Sequence, residues 1–185
     1  MHFLRLLRIF IPVLVIAAIV AGVIVVLTSR TELQSARRQV NEAWQPLRTE
    51  LDTRYKVLAA ADKALKLIPG PLHRIVLQVE SATTDWNDLQ THGGSVASQV
   101  TAANKIEALG RRLVQAARAA PRLAGRPELA TINSYAATPP AGGAITPFED
   151  AVSRYERERN RPARRLAADI LGYDSVPAYD ASGSA

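Results

Sequence analysis

The side chains best suited to chemistry in this sequence are its arginines, because each carries a lasting charge and five hydrogen-bond donors. Arg54 falls within an apolar series, with Leu47, Leu51 and Leu58 at helical spacing around it. A cation on such a face either pairs with a carboxylate inside the protein or binds an anionic ligand. We expect the pair, and therefore expect Arg54→Met to be tolerated or stabilising and removal of the carboxylate alone to cost more. The anionic ligand is the alternative. The candidate carboxylates are Glu149, Asp150 and Glu156.

A second group of arginines lies towards the carboxyl end of the chain, in the order Arg154, Arg157, Arg159, Arg161, Arg164 and Arg165. All of these except Arg159 form our candidate interaction surface. Because Glu156 and Glu158 alternate with the arginines, a solvated face of mixed charge is the favoured interpretation. Nucleic acid is a disfavoured partner, since Tyr155 is the one aromatic residue placed for stacking on a base. The formal net charge of +6 does not choose between partners.

Groups for catalysis and metal binding are sparse in the sequence. The three histidines are far apart, and neither HExxH nor GxSxG occurs. Cysteine is absent, which excludes disulfides, thiolate metal sites and thiol nucleophiles. We therefore expect no enzyme, no catalytic residue, no metal and no cofactor.

The element that would position the chain as a whole is the apolar run Ile9 to Leu27, which contains no charged side chain. As a helix it would span about 28 Å, close to the ~30 Å hydrocarbon core of a bilayer. It predicts a single membrane-spanning helix after a short basic tail at residues 1–8, with the lipid bilayer as its partner. A cleaved signal peptide is the alternative, but the following VVLTSR lacks a cleavage pattern.

The charges on either side of this run leave its orientation open. Arg30, Arg37 and Arg38 form a juxtamembrane basic group, and Arg5 and Arg8 balance them on the other flank. We expect a single-pass protein of the cell membrane, with the side of its soluble domain undetermined.

Residues 30–173 have the pattern of an antiparallel bundle of about four helices, so the predicted fold class is all-α. The first helix, 30–67, carries a seam with the seven-residue spacing of a coiled coil. Its members are Val40, Trp44, Leu47, Leu51, Arg54, Leu58 and Leu65.

The later helices are expected at 71–89, at 95–120 and from Pro147 onward, with a kink or split at Pro162. A short helix is expected at 127–135, and Gly110 should weaken the third helix only mildly. Residues 138–143 (TPPAGG) predict a mobile loop, and residues 174–185 predict a flexible tail.

The residues from Val40 to Trp44 (VNEAW), followed by Leu47, Leu51 and Arg54-Tyr55, resemble the opening helix of LemA family proteins. The stretches 104–123 and 148–156 are similar to later helices of the family, and Leu171-Gly172-Tyr173 is similar to its closing motif. Both YN pairs of the family are replaced, by Phe-Glu and Tyr-Glu. The resemblance implies a single-pass membrane protein with an antiparallel helical bundle, placed in the cytoplasm, and without an established molecular activity.

Together these patterns predict a membrane-anchored, non-catalytic helical bundle that binds or organises other proteins. The alternative is a membrane-tethered sensor of an anionic ligand near Arg54, and a hydrolase with dispersed carboxylates comes third. Adding helix lengths places Arg161, Arg164 and Arg165 about 25 Å above the membrane. On that addition only Arg30, Arg37 and Arg38 should contact lipid headgroups.

Overall fold

The structure, a computed structural model, describes residues 2–66, 70–140 and 142–180; for residues 2–28, 64, 71 and 163 it describes the helix they belong to and not their side chains. Within these ranges all regular secondary structure is helical, which confirms the all-α prediction. The helices are α1 (His2–Leu65), α2 (Pro71–Thr91), α3 (Val96–Arg118), α4 (Pro127–Ala137), α5 (Gly142–Arg159) and α6 (Pro162–Leu171), with a short 3-10 helix at Pro121–Leu123.

The helix ends follow from local chemistry. Pro71 opens α2 after Gly70, whose φ of 127° favours glycine. The Ser95 side chain caps α3 by accepting a hydrogen bond from the Ser98 backbone N–H at 3.1 Å. Gly172, with φ 70°, ends α6 in the left-handed conformation, as its position in the sequence predicts.

Among the residues whose side chains the structure describes, no helix is long and apolar enough to cross a membrane. The predicted span Ile9–Leu27 lies outside the residues whose side chains are described.

The chain divides into two compact units. The first unit comprises Met1–Gln39 and Ser153–Ser175, and the second comprises Val40–Val152 and Val176–Ala185. The single bundle domain expected at 30–173 is therefore divided between them.

The second unit is built on the seam of α1. The apolar seam residues are fully buried, namely Val40, Trp44, Leu47, Leu51, Leu58 and Leu65. Helix α2 runs antiparallel to α1, because Lys66 pairs with Glu80 whereas Asp52 accepts a hydrogen bond from Trp86. Helix α3 packs against α2. It runs parallel to α1, because Trp44 donates to Gln99 and Arg54 donates to Glu107, and it is therefore antiparallel to α2.

The structure corrects the end of the expected loop and part of the expected flexible tail, whereas residues 138–140 have no regular secondary structure. Helix α5 begins at Gly142, not at Pro147, so the end of the TPPAGG segment is helical. In the tail, Val176 and Tyr179 are buried. The Asn104 amide brackets this segment, donating to the carbonyl of residue 178 at 2.9 Å and accepting from the N–H of residue 180 at 2.8 Å. The tail prediction is wrong for residues 174–180 because burial and satisfied backbone groups hold this segment; residues 181–185 lie outside the described part.

In the first unit, α5 runs antiparallel to α1. Arg154 donates to the Gln39 side chain at 3.2 Å, and Arg164 bridges Glu158 and Glu32. The C-terminal arginines therefore lie beside the beginning of the predicted soluble part of α1.

The addition of helix lengths, which separated Arg161, Arg164 and Arg165 from that segment, is wrong. It assumed that the connection between the third and fourth predicted helices adds no net travel. In the second unit this connection contains α4, which runs antiparallel to α3: Arg118 donates to Asn133 and Tyr135 donates to Glu107. A helix of that length returns the chain by about 16 Å.

The seam gives the first testable prediction. Trp44→Ala, Leu51→Ala and Leu58→Ala should each lower the free energy of unfolding by about 2 to 5 kcal/mol, because each leaves a cavity in a fully buried site. Lys56→Ala, at an exposed position on the same helix, should change it by no more than about 0.5 kcal/mol. Chemical denaturation of the detergent-solubilised chain, followed by circular dichroism, measures both. Equal effects of the buried and the exposed substitutions would contradict the seam.

Candidate functional site

The Arg54 guanidinium forms a two-point ion pair with the Glu107 carboxylate of α3, inside the second unit. Arg54 Nε donates to Oε1 at 2.9 Å and Nη2 donates to Oε2 at 3.2 Å. The side chains are 11% and 3% exposed, so the pair is largely removed from water. Burial is the largest single cause and lowers the pKa of Arg54. The hydrogen bond to Glu107 and the electrostatic interactions with Tyr135, Glu107 and Tyr179 together outweigh it, so the pKa lies above its ordinary value.

The same guanidinium closes the C-terminal end of α4. Its Nη1 donates to the backbone carbonyls of Tyr135 and Thr138, which lie where a helix leaves its carbonyls without partners. The guanidinium carbon lies 3.8 Å from the centre of the Tyr135 ring, within range of a cation–π interaction. Arg54 thus joins three helices, α1, α3 and α4.

Tyrosines surround the Glu107 carboxylate. The Tyr135 hydroxyl donates to Oε2 at 3.1 Å, and the Tyr55 hydroxyl donates to the Ala103 carbonyl at 3.3 Å. Burial is the largest cause that raises the pKa of Tyr55, Tyr135 and Tyr179, and the charge of Glu107 adds to it in each case. The phenols therefore keep their protons at neutral pH, and of the three it is Tyr135 that donates a hydrogen bond to the carboxylate.

Gly110 is the seat of the Tyr135 ring on α3. A Cβ atom at Gly110 would lie 2.4 Å from the Tyr135 hydroxyl oxygen and 2.8 Å from two ring carbons, closer than real Cβ contacts. The sequence suggests only a mild cost in helix propensity for this glycine. The structure gives it a packing role, because the close approach brings the hydroxyl of Tyr135 to Glu107.

The expected partners of Arg54 are corrected by this geometry. Glu149 and Asp150 are exposed, and Glu156 belongs to the first unit, where it accepts a hydrogen bond from Ser175. Glu107 was missed, although it occupies a place in a buried series of α3 with the same spacing of three and four residues as the seam. The other members of that series are Val100, Ala103, Gly110, Val114 and Ala117.

The two tryptophans of the second unit also depend on polar partners that the sequence analysis missed. The Trp44 indole donates to the Gln99 side chain at 2.7 Å, and the Trp86 indole donates to Asp52 at 2.8 Å. Their rings meet edge to face, with centres 6.3 Å apart. Each buried N–H is therefore satisfied, as a tryptophan inside a core requires.

A groove of about 460 Å³ opens beside the Arg54 cluster. Thr49, Thr53 and Val57 of α1 form one wall, and the end of α4 with Pro139 and Pro140 forms the other. Val57 is 38% exposed, so its apolar surface is accessible from the groove. Arg54 and Tyr135 also line this groove, but their polar atoms are committed to the cluster.

The arginines of the candidate interaction surface lie together in the first unit. Arg164 and Arg161 both pair with Glu158, and Arg157 donates to the Ser153 carbonyl of its own helix. Arg154 donates to the Gln39 side chain, and Arg165 is exposed. A face of mixed charge, as the alternation of arginines and glutamates suggests, describes this arrangement.

The juxtamembrane arginines differ in their surroundings. Arg37 donates to the Gly172 carbonyl at 3.5 Å and lies 5.8 Å from the centre of the Tyr173 ring. Arg30 and Arg38 are exposed.

In the part of the chain that the structure describes, no group of three or more His, Asp or Glu side chains is placed to hold a metal ion. Comparison with protein-family models, with curated proteins and with solved structures gives no match to this chain. The resemblance to the LemA family stays a prediction.

The depth of Glu107 changes what we expect of Arg54→Met. This substitution leaves a carboxylate that is 3% exposed without its cation, and it should cost about 3 to 5 kcal/mol of unfolding free energy. Arg54→Met combined with Glu107→Leu should cost much less than the two single changes together, because no charge is stranded. Chemical denaturation of the four proteins completes the cycle. Additive losses would refute the pair as the organising contact.

The contact between Gly110 and Tyr135 predicts that the effect of Gly110→Ala on stability changes sign when Tyr135 is removed. Gly110→Ala should destabilise the protein, because the new methyl group displaces the Tyr135 ring, despite a gain in helix propensity of about 1 kcal/mol. In a Tyr135→Ala background the obstruction is gone, so the same change should stabilise the protein by about 0.5 to 1 kcal/mol. Denaturation midpoints of the four proteins test this. A stabilising Gly110→Ala in the unaltered chain contradicts the close approach.

Proposed function

We propose that this protein is a membrane-anchored, non-catalytic helical bundle of the LemA type, and that it binds another protein through the groove beside Arg54. The anchor is Ile9 to Leu27, which has the length and apolar character of a bilayer-spanning helix. The bound element is an apolar segment of the partner.

The proposal rests on one contrast: the groove has accessible apolar surface, whereas the Arg54–Glu107 pair beside it is already engaged within the protein. All three nitrogens of the Arg54 guanidinium donate within the protein, to Glu107 and to two carbonyls of α4. A ligand anion would have to displace these contacts and leave Glu107 buried without its cation, at a cost of several kcal/mol. The anionic-ligand alternative thereby loses its motive.

The walls of the groove favour an apolar partner. Val57 presents a partly exposed side chain, and Pro139 and Pro140 offer rigid apolar surfaces opposite it. The hydroxyls of Thr49 and Thr53 donate to carbonyls of their own helix, at 3.0 and 3.2 Å, which satisfies these polar groups within α1. Specific protein contacts commonly centre on apolar side chains that fill pockets of this kind.

The non-catalytic assignment rests on the commitments within the cluster. Glu107 accepts two hydrogen bonds from Arg54 and one from Tyr135, and burial raises the pKa of Tyr135 above its ordinary value. A general base needs a free acceptor within reach of its proton, and a general acid needs a pKa near the working pH. This cluster is better suited to fixing helices than to moving protons.

Crosslinking in native membranes tests the proposed surface. The chain has no cysteine, so Val57→Cys and Leu77→Cys each create one attachment point for a photoactivated crosslinker. Leu77 is the matched control: it is 42% exposed, close to the 38% of Val57, and lies on α2, away from this groove. Residue 57 should capture a protein that residue 77 does not, and Val57→Asp should lose that protein from co-isolation while Leu77→Asp keeps it. Identical products from both positions, or none from residue 57, would remove the groove as the binding surface.

A further inference from the structure

Helix α6 presents an apolar face to solvent. Leu166 and Ile170 are 69% and 67% exposed, the highest values among the large apolar side chains that the structure describes. They are four positions apart, and Pro162 precedes Leu166 by the same interval, so the three lie along one face of the helix. Ala167 and Ala168, on the other side of α6, are buried. The helix is therefore held by small residues while its large ones project outward.

Contacts within the first unit fix α6 beside α1. Arg164 pairs with both Glu32 and Glu158 and is only 19% exposed. At the other end of the helix, Arg37 donates to the Gly172 carbonyl. These contacts hold α6 against residues 32–37 of α1.

Residues 32–37 of α1 lie a short distance beyond the end of the apolar run. Glu32 follows Leu27, the end of the apolar run, by five residues, which in a helix is about 7.5 Å. The headgroup region beyond the hydrocarbon core is about 5 to 8 Å deep on each side of a bilayer. Amphipathic helices that lie on membranes place their apolar face about 5 to 10 Å into this boundary. Helix α6 thus begins beside the part of α1 that would emerge from the headgroups, and its Gly172 end lies beside Arg37, about 15 Å beyond Leu27.

Basic side chains flank the apolar face, and the one exposed carboxylate of α6, Asp169, pairs with Arg159. Arg165 is exposed, and Arg161 is 57% exposed despite its pair with Glu158. Arg30, on the adjoining stretch of α1, is exposed as well. Basic side chains near such a surface are attracted to the phosphates of anionic lipids.

We propose that α6 is a second membrane contact: Leu166 and Ile170 enter the headgroup layer of the bilayer that holds the Ile9–Leu27 anchor, and Arg161 and Arg165 contact the phosphates of anionic lipids. This inference rests on the membrane anchor of the proposed function. It holds the first unit to the bilayer at two points, and it replaces the assignment of lipid contact to the juxtamembrane arginines alone.

Depth-dependent fluorescence quenching tests the proposal on the full chain, reconstituted in vesicles of phosphatidylglycerol and phosphatidylcholine. Single cysteines at Leu166, Ile170, Leu77 or Ala18 carry an environment-sensitive dye, and the vesicles contain lipids with a nitroxide either just below the headgroup or deep in the acyl chain. The dye at residues 166 and 170 should be quenched by the shallow nitroxide, and the dye at the exposed control residue 77 should not. The dye at residue 18, the middle of the apolar run, should be quenched by the deep nitroxide.

The outcomes separate this inference from the anchor on which it rests. Quenching at residue 18 without quenching at 166 and 170 overturns the contact of α6 and leaves the anchor in place. Absence of deep quenching at residue 18 overturns the anchor and the inference together. If the dyes at 166 and 170 are shielded from water to an extent that depends on the protein-to-lipid ratio, and are not quenched by the nitroxide lipids, the face contacts a second copy of the chain. That result overturns the lipid contact.

The phosphate contact has its own test. Arg161→Gln combined with Arg165→Gln should remove the extra shallow quenching that anionic vesicles give over purely phosphatidylcholine vesicles. Arg112→Gln, at an exposed position on α3 of the second unit, is the matched control and should leave that difference intact. A double variant that keeps the full difference overturns the arginine–phosphate contact.

Discussion

The second unit depends on one ion pair within an apolar interior. Arg54 and Glu107 each bring a charge to a place where an unpaired charge would cost several kcal/mol. An apolar seam with a seven-residue spacing is compatible with more than one alignment, because a shift by one repeat brings apolar residues together again. A single pair of opposite charges is satisfied in one alignment only. The pair therefore sets the alignment of α1 with α3, and the carbonyls bound by Arg54 extend it to the end of α4.

Periodicity gave the parts of the fold that depend on local spacing. The apolar members of the α1 seam are buried, and α2 and α3 begin and end within a few residues of their predicted bounds. The partner of Arg54 was predictable as well, because Glu107 lies on the apolar series of its own helix, whereas the expected partners were Glu149, Asp150 and Glu156. Gly142 and the segment 174–180 were not predictable in this way. Glycine and proline report local backbone freedom, whereas tertiary packing decides whether such a segment is held.

The short helix α4 explains why the addition of helix lengths misplaced Arg161, Arg164 and Arg165. Helix α4 lies in a stretch rich in glycine and proline, where the sequence predicts a short helix at 127–135. Because it runs antiparallel to α3, it carries the chain back along the second unit before α5 begins. In the first unit Arg164 meets Glu32, five residues beyond the apolar run. A face that a count of four helices places far from the apolar run lies beside residues that follow this run closely in the sequence.

The two hydrogen bonds between the Asn104 side chain and the backbone of residues 178 and 180 affect how the chain folds during synthesis. Helices α1 to α3 leave the ribosome early and can associate through the seam as soon as residue 118 has emerged. Tyr179, whose pKa the Glu107 charge helps to raise, is made some sixty residues later, at the end of a separate excursion of the chain through the first unit. The second unit is therefore discontinuous in sequence, and its closing contacts join residues more than seventy positions apart. Contacts of such long range slow the final stage of folding. Until they form, the core around Glu107 lacks the Tyr179 side chain.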